Sequence, residues 1–287
     1  MRLHGTDLGD WLMRSHGIAH REDVLRAGFP LAVMRAFVRD GGASMIRRAW
    51  LALPSADPEF LDAAHAGGRL SCTTLARRRG WWMPASVPTT VHLHMVPGSG
   101  SSAMPAQWQG RLHWTRPLAP SPRHTLVATL EDSLLHLATC LPFETALVLW
   151  ESAIRVEQLA ADYLRSITWP SLAARELADA VTGLSDSGLE TLVATPLRRW
   201  GLQVQQQAKV GGRLVDLLVG ERLVIQIDGY AFHADSSQRT RDISHDAELR
   251  LRGYTVLRFS YAQVIHDWPA VAAVIRRAVA AGLHRAC

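Results

Sequence analysis

The stretch that most narrows the choice of fold runs from Arg213 to Gly229. Arg213-Leu214-Val215-Asp216-Leu217-Leu218-Val219 and Leu223-Val224-Ile225-Gln226-Ile227-Asp228-Gly229 are two apolar runs separated by the turn Gly220-Glu221-Arg222. Runs this short, rich in Val and Ile and bracketed by turn residues, read as strands rather than helices. The second is nearly continuous in apolar residues, which suits a strand with both faces covered and so a central place in a sheet. Gly211-Gly212 is a hairpin signal joining the first run to the weakly alternating Gln203–Gln207. Upstream, Leu189, Leu192, Val193 and Leu197 recur at helical spacing in a segment that opens with Gly188-Leu189-Glu190. Packing does not account for three acids in this otherwise apolar frame. Asp216 and Asp228 each sit in an apolar strand, and Glu190 sits beside the apolar face of the helix.

Acids on neighbouring strands, with a third from a helix, offer the hard oxygen ligands that Mg²⁺ or Mn²⁺ takes, and such an ion can activate water to attack phosphorus. The order of these residues resembles the PD-(D/E)XK nuclease superfamily, where a strand Asp is followed about a hairpin later by an acid-any-Lys triplet. Asp216 takes the first place and Gln226-Ile227-Asp228 stands in the register of the triplet. Within that superfamily the chain is similar to the Vsr-like (very-short-patch-repair-like) endonucleases and related bacterial endonuclease domains. The shared features are Asp228-Gly229-Tyr230-Ala231-Phe232-His233, Arg241-Asp242, Leu249, Gly253-Tyr254 and Val256-Leu257-Arg258-Phe259.

The resemblance implies a restriction-endonuclease-like α/β/α core over residues 188–287 that hydrolyses phosphodiester bonds with Mg²⁺ or Mn²⁺. Carried over residue by residue, the catalytic set is Glu190, Asp216, Gln226, Asp228 and His233. Asp216, Gln226 and the main-chain carbonyl of Ile227 would surround the metal, with His233 as general acid or base near a phosphate. Glu190 would orient water or a second metal, and Arg241 and Arg258 would face DNA. Two positions depart from the pattern. Gln226 replaces the usual acid, which keeps a carbonyl oxygen and loses a charge, and Asp228 replaces the usual lysine, which the Vsr-like relatives also lack. Against these roles, His233 can be read as an ordinary half-buried imidazole. Asp242 and Asp246, with Arg239, Arg241 and Arg250 on one helix, read as a solvated mixed-charge face.

At 287 residues the chain is long enough for two to three domains, and 48% hydrophobic with 20% charged residues is the composition of a folded protein. The organisation expected is residues 1–55, 56–187 and 188–287, with the polar stretch Thr182–Gly188 as linker. No stretch approaches the roughly 20 apolar residues of a membrane span, and the N-terminus lacks a signal-like apolar segment, so a cytoplasmic protein without a membrane partner is expected. Cys72, Cys140 and Cys287 are far apart in sequence and read as reduced bystanders, matching neither a disulfide framework nor a Cys-x-x-Cys zinc site. The formal charge of +5 divides into +3 over residues 1–55, +4 over 56–130, −6 over 131–187 and +4 over 188–287. The basic ends suit DNA as partner, and the acidic stretch suits a helical spacer or oligomer surface.

Residues 1–55 have the outline of a winged helix-turn-helix. A short helix holds Leu8, Trp11 and Leu12, a second runs from Arg21 to Gly28, and a third, Leu31 to Asp40, buries Val33, Met34, Phe37 and Val38. Arg35 and Arg39 of the third lie four residues apart on one side, and a β-wing over Ile46–Pro54 carries Arg47 and Arg48 toward a phosphate backbone. This segment is similar to the N-terminal domain of AbiEi-family antitoxins, which implies an autoregulating DNA-binding protein of a toxin-antitoxin locus. Its partners would then be DNA and either a toxin or itself as a homodimer. The alternative is a small helical domain that packs on its neighbour or binds protein.

The middle segment, 56–187, reads as α+β. A helix is expected from Gly67 to Arg79, strands over Val91–Val96 and Leu112–Trp114, and helices over 131–167 and 172–180. His92, His94 and His113 raise a metal reading, but a polar strand surface is the expectation. The fold class is therefore mixed α/β: a winged helix, an α+β middle region with helical spacer, and an α/β/α core. The leading function is a metal-dependent DNA endonuclease. Its alternative is a non-catalytic DNA-binding regulator with a degenerate nuclease fold.

Overall fold

The structure is a computed structural model describing residues 5–98, 104, 107–181, 188–228 and 236–286. The chain divides into two compact units, residues 1–79 with 86–140, and residues 80–85 with 141–287. The boundary expected near residue 187 falls inside the second unit, because the helix that opens at Gly188 packs on an earlier helix at 143–156.

The first unit begins with α1 (Gly5–Met13), β1 (Ile18–His20), α2 (Arg21–Arg26), α3 (Leu31–Arg39), β2 (Ser44–Ile46) and β3 (Trp50–Ala52). The strands form an antiparallel sheet in the order β1-β3-β2. Leu8 and Leu12 of α1, Val24 of α2, Phe29, Met34 of α3 and Leu51 of β3 make one core. On α3 only Met34 is fully buried, while Val33, Phe37 and Val38 are half-buried, so the helix lies more open than its apolar stripe suggests.

The unit continues with α4 (Pro58–Ala66), β4 (Arg69–Leu70), α5 (Cys72–Arg78), β5 (His92–Met95), β6 (Arg111–Trp114) and α6 (Leu130–Cys140). The helix expected from Gly67 begins only at Cys72. Asp57 caps α4 by accepting from the Glu59 N–H, and Gly67 ends it at φ 72°, after which the chain pairs as β4. β5 lies between antiparallel β4 and parallel β6. All four residues of β5 are buried, so His92 and His94 lie inside rather than on the expected polar surface.

The second unit holds α7 (Phe143–Val156), α8 (Ala161–Ser166), α9 (Leu172–Ala180), α10 (Gly188–Arg199), β7 (Val204–Val210), β8 (Arg213–Val219) and β9 (Leu223–Asp228). It ends with α11 (Ser236–Leu251), β10 (Thr255–Ser260), α12 (Tyr261–His266) and α13 (Trp268–Ala280). The strands form a mixed sheet in the order β10-β9-β8-β7, with β9 and β10 parallel and the other pairs antiparallel. The parallel pair needs a crossover, and α11 supplies it.

Both faces of the sheet are covered, as the apolar run of β9 demands. On one face Leu217, Leu223, Ile225 and Phe259 meet Leu189, Val193 and Leu197 of α10, Val264 of α12 and Ile275 of α13. On the other, Val210, Val215, Val224 and Val256 meet Leu249 of α11. The β7–β8 turn is the two-residue loop Gly211-Gly212 with both φ values positive, the hairpin geometry that follows strand twist. Ser260 and Gln263 form a reciprocal capping box that starts α12 directly at the end of β10.

Candidate active site

Elements α10, β8, β9 and β10 of the second unit carry those of its predicted polar residues that lie among the described ones. Asp216 lies in mid β8 and Gln226 on β9, in the stretch just beyond the paired residues Leu217 and Ile225. The Asp216 carboxylate accepts from the Ile227 N–H at 2.6 Å, and the Gln226 amide oxygen accepts from the Asp216 N–H at 3.4 Å. Asp216, Gln226 and the Ile227 backbone therefore form one connected group, with Gln226 buried and Asp216 half-buried.

Glu190 reaches this region from the first turn of α10. It is buried at 4% exposure, and its carboxylate accepts from the Gln207 side-chain amide at 3.0 Å. Gln207 had no assigned role in the sequence. It sits in β7 between Gln206, paired with Leu217, and Ala208, paired with Val215, so it lies across from Asp216. Its φ of 50° is left-handed in mid-strand, a conformation that costs free energy in a residue with a Cβ and that clusters at functional sites. The readable signal was the polar run Gln205-Gln206-Gln207 where a covered strand would be apolar.

Asp228 is drawn toward the far edge of the sheet. Arg258 of β10 donates to Asp228 at 2.6 Å and to both carboxylate oxygens of Asp246 at 2.9 and 3.1 Å. Burial alone would lower the Arg258 pKa, but its hydrogen bonds and charge pairing with Asp246 and Asp228 outweigh that and raise it. Asp246 is 7% exposed, so it belongs to this buried network and not to a solvated face of α11. Arg258 is thereby engaged within the chain. His233 lies outside the described residues, as does the Arg241 side chain.

The arginines expected to meet DNA in the first unit are exposed. Arg35 and Arg39 lie on α3, Arg39 pairing with the adjacent Asp40 at 3.0 Å. Arg47 and Arg48 form the tip between β2 and β3, both in the left-handed region with φ of 48° and 57°. Of the basic run before the tryptophans, Arg78 donates to Asp57 and to Glu59, each at 2.6 Å, and Arg77 also bonds Glu59. Those two arginines brace α5 on α4.

The first unit also assembles a group that the sequence showed only in part, since His92 and His113 raise a metal reading there and Cys72 and Cys140 do not. Cys72, His92, His113 and Cys140 each offer a ligand atom, and these atoms all lie within 4.8 Å of one another. Burial pushes the Cys72 thiol well up, while the hydrogen bond from Cys72, helped by His113 and His92, brings Cys140 down. Cys72 and Cys140 are thus neighbours, not separate bystanders, and Cys287 lies outside the described residues. His94 is turned elsewhere, bonding the Thr115 carbonyl and hydroxyl at 3.0 and 3.1 Å. Beside it, His136 is tied to Ser71 and Thr115 at 2.7 and 2.8 Å.

Residues 189–279 match the family model REase_MTES_1575. The match marks this segment, from α10 to α13, as a restriction-endonuclease-like domain. A solved structure titled "Homing Endonuclease I-Bth0305I Catalytic Domain" is similar at 22% identity and a TM-score of 0.30, over 34% of this chain and 97% of that one. No curated protein matches. No helix among the described residues is long and apolar enough to cross a membrane.

Restriction-endonuclease-like domains commonly use a divalent metal, so the donor set of the REase_MTES_1575-like segment can be tested for fit. Asp216 supplies one carboxylate, Gln226 an amide oxygen and Ile227 a carbonyl, all hard oxygen donors. Glu190 is held by Gln207, and Asp228 is paired with Arg258, which also pairs with Asp246. Among the described residues, both clusters of three or more His, Cys, Asp or Glu at ligand spacing lie in the first unit. Asp216, Gln226 and Ile227 offer donors of the chemical kind that Mg²⁺ takes, an ion that uses one or two carboxylates and completes its shell with water and substrate phosphate.

Proposed function

We propose that residues 188–287 are a divalent-metal-dependent DNA endonuclease of the PD-(D/E)XK, Vsr-like type, and that residues 1–55 act as a winged helix-turn-helix that positions it on DNA. The single observation carrying the reading is the hydrogen-bonded link between the Asp216 carboxylate and Ile227, with Gln226 bonded back to the Asp216 N–H. This link supports reading Asp216 as the strand Asp and Gln226-Ile227-Asp228 as the triplet of the nuclease pattern. Asp216, the Ile227 carbonyl and the Gln226 amide oxygen would hold Mg²⁺ or Mn²⁺, which when bound supplies an activated water and neutralises phosphate charge. Glu190, fixed by Gln207, orients the attacking water. His233 gives or takes a proton near the scissile phosphate. The Asp228–Arg258–Asp246 network holds the end of β9 against β10 and α11. Support for the DNA-binding front end comes from exposed Arg35 and Arg39 on α3 and the strained arginine tip at Arg47 and Arg48. The biological setting that suits both parts is defence against foreign DNA or a toxin-antitoxin locus, with a toxin or a second copy as protein partner.

The test is plasmid cleavage by the full chain with Mg²⁺, Mn²⁺ or chelator. Cleavage should need metal and vanish in Asp216→Ala. Metal-independent cleavage, or full activity in that variant, would sink the proposal. A second reading is favoured by a specific observation: the triplet brings little negative charge to the site, since Gln226 is neutral and Asp228 is paired to Arg258. On that reading the chain is a non-catalytic DNA-binding regulator, and it would bind the same DNA and cleave nothing with any metal.

A further inference from the structure

We propose that Cys72, His92, His113 and Cys140 hold a structural zinc ion in the first unit, apart from the nuclease-like segment. The four donors come from four elements: the start of α5, β5, the parallel neighbour β6 and the end of α6. Cys72, His92 and His113 are buried and Cys140 is half-buried, leaving a route by which an ion enters.

The spacing suits tetrahedral coordination. With Zn–N near 2.05 Å and Zn–S near 2.3 Å, the edges of the tetrahedron are about 3.3 Å between nitrogens, about 3.5 Å between nitrogen and sulfur, and about 3.8 Å between sulfurs. His113 Nε2 lies 3.2 Å from His92 Nδ1, and Cys140 Sγ lies 3.8 Å from the same His92 nitrogen. These two separations match the edges to within a few tenths of an ångström, and the remaining pairs lie within 4.8 Å, so the side chains would close on an ion by shifts of about 1 Å or less.

The surroundings are those of a ligand shell. The far nitrogen of His92 meets the Thr90 hydroxyl at 3.3 Å, and its backbone N–H donates to Thr74 at 2.8 Å. A partner on the outer nitrogen is what orients an imidazole toward a metal. The His113 ring is stacked on His136 at 4.6 Å between centroids. His136 and His94 have their own hydroxyl and carbonyl partners, which separates wall from ligand among the four histidines here. Cys72 is held at a φ of 52°, a left-handed conformation that the surrounding structure must enforce.

Donor chemistry selects the ion. Two thiolates and two imidazoles are soft and borderline donors, which suit Zn²⁺ and not the Mg²⁺ or Mn²⁺ proposed for Asp216. Two thiolates also cancel the charge of a divalent ion, so the occupied site is neutral and tolerable in the interior. Four protein ligands leave no open position, and the role is therefore structural: one ion ties α5, β5, β6 and α6 together.

The full chain, purified without air and stripped by chelator, is given Zn²⁺ alone and then Co²⁺ alone. One zinc per chain should be retained on gel filtration and released by a thiol-blocking mercurial. Co²⁺ should give the thiolate charge-transfer band and the intense visible bands of tetrahedral coordination. Cys140→Ser, chosen because that position is half-buried, and His113→Gln should weaken zinc binding about tenfold or more, since each removes one of four ligands. Asp216→Asn should leave it unchanged. The wild-type Co²⁺ spectrum keeps the proposal testable if a variant fails to fold. Absence of bound zinc at equimolar metal, an octahedral Co²⁺ spectrum, or a Cys72–Cys140 disulfide in the air-free protein would each overturn it.

Discussion

Single residues separate the two functional readings. Gln226 is nearly the shape of glutamate and already bonds the Asp216 backbone, so Gln226→Glu should keep the fold while adding one negative charge beside Asp216. Affinity for hard cations follows ligand charge, and the metal concentration for half-maximal cleavage should fall by about tenfold or more. Calorimetric Mn²⁺ titrations that coincide for the variant and the parent would mean that the amide does not face an ion. A different single group governs acid stability. Burial, then the neighbouring His113, His94 and His92, lower the His136 pKa to about 2 from its ordinary 6.5. Its folded state then binds fewer protons than the unfolded chain between those values, so stability is complete above pH 6.5 and declines as pH falls below it. The slope is at most about 1.4 kcal/mol per pH unit from this group. Denaturant unfolding of the metal-free chain from neutral to mildly acid pH should show a shallower acid loss in His136→Gln, and equal slopes in the two proteins would refute the assignment.

At the scale of elements, the turns of the nuclease-like sheet make different demands on their glycines. Gly212 has φ 87° with open space where a Cβ would stand, whereas at Gly220, φ 59°, a Cβ would lie 2.3 Å from the His284 carbonyl oxygen. Gly212→Ala should therefore cost only backbone strain, about 1 to 2 kcal/mol. Gly220→Ala adds a clash with main chain that cannot rotate away, and it should be clearly the worse of the two in urea midpoint. Equal losses would show that the contact with the C-terminal segment is dispensable. The left-handed Gln207 belongs to the same scale. Its side-chain amide donates to Glu190, so the edge strand β7 is tied to α10 beside Asp216.

For the whole molecule, charge is the property that reaches farthest. The chain carries +5, with its basic excess outside the acidic 131–187 stretch, and a polyanion that displaces counterions should bind it with a steep salt dependence. Replacing Arg35, Arg39, Arg47 and Arg48 together by Ala should flatten the slope of log K against log salt by up to about four, near one for each phosphate that is no longer neutralised. Binding isotherms of the full chain on one duplex from low to moderate salt provide the measurement, and an unchanged slope would remove these arginines from the interface.

What the sequence determined by itself was local. The glycine turns at Gly211-Gly212 and Gly220, the doubly covered strand Leu223–Asp228, the helical spacing of α10 and the order of Glu190, Asp216 and Gln226 all follow from backbone freedom and apolar periodicity within a few residues. Those features placed an α/β core and its polar region. Tertiary structure decided which distant groups meet. It paired Arg258 with Asp228 and Asp246, set Gln207 against Glu190, and buried His92 and His94 by covering both sides of β5. It also gathered Cys72, His92, His113 and Cys140, whose separations in sequence follow no ligand motif. Spacing encodes contacts only along one helix or strand. Contacts between elements depend on strand order and helix packing, where burial energy summed over many residues outweighs any short pattern.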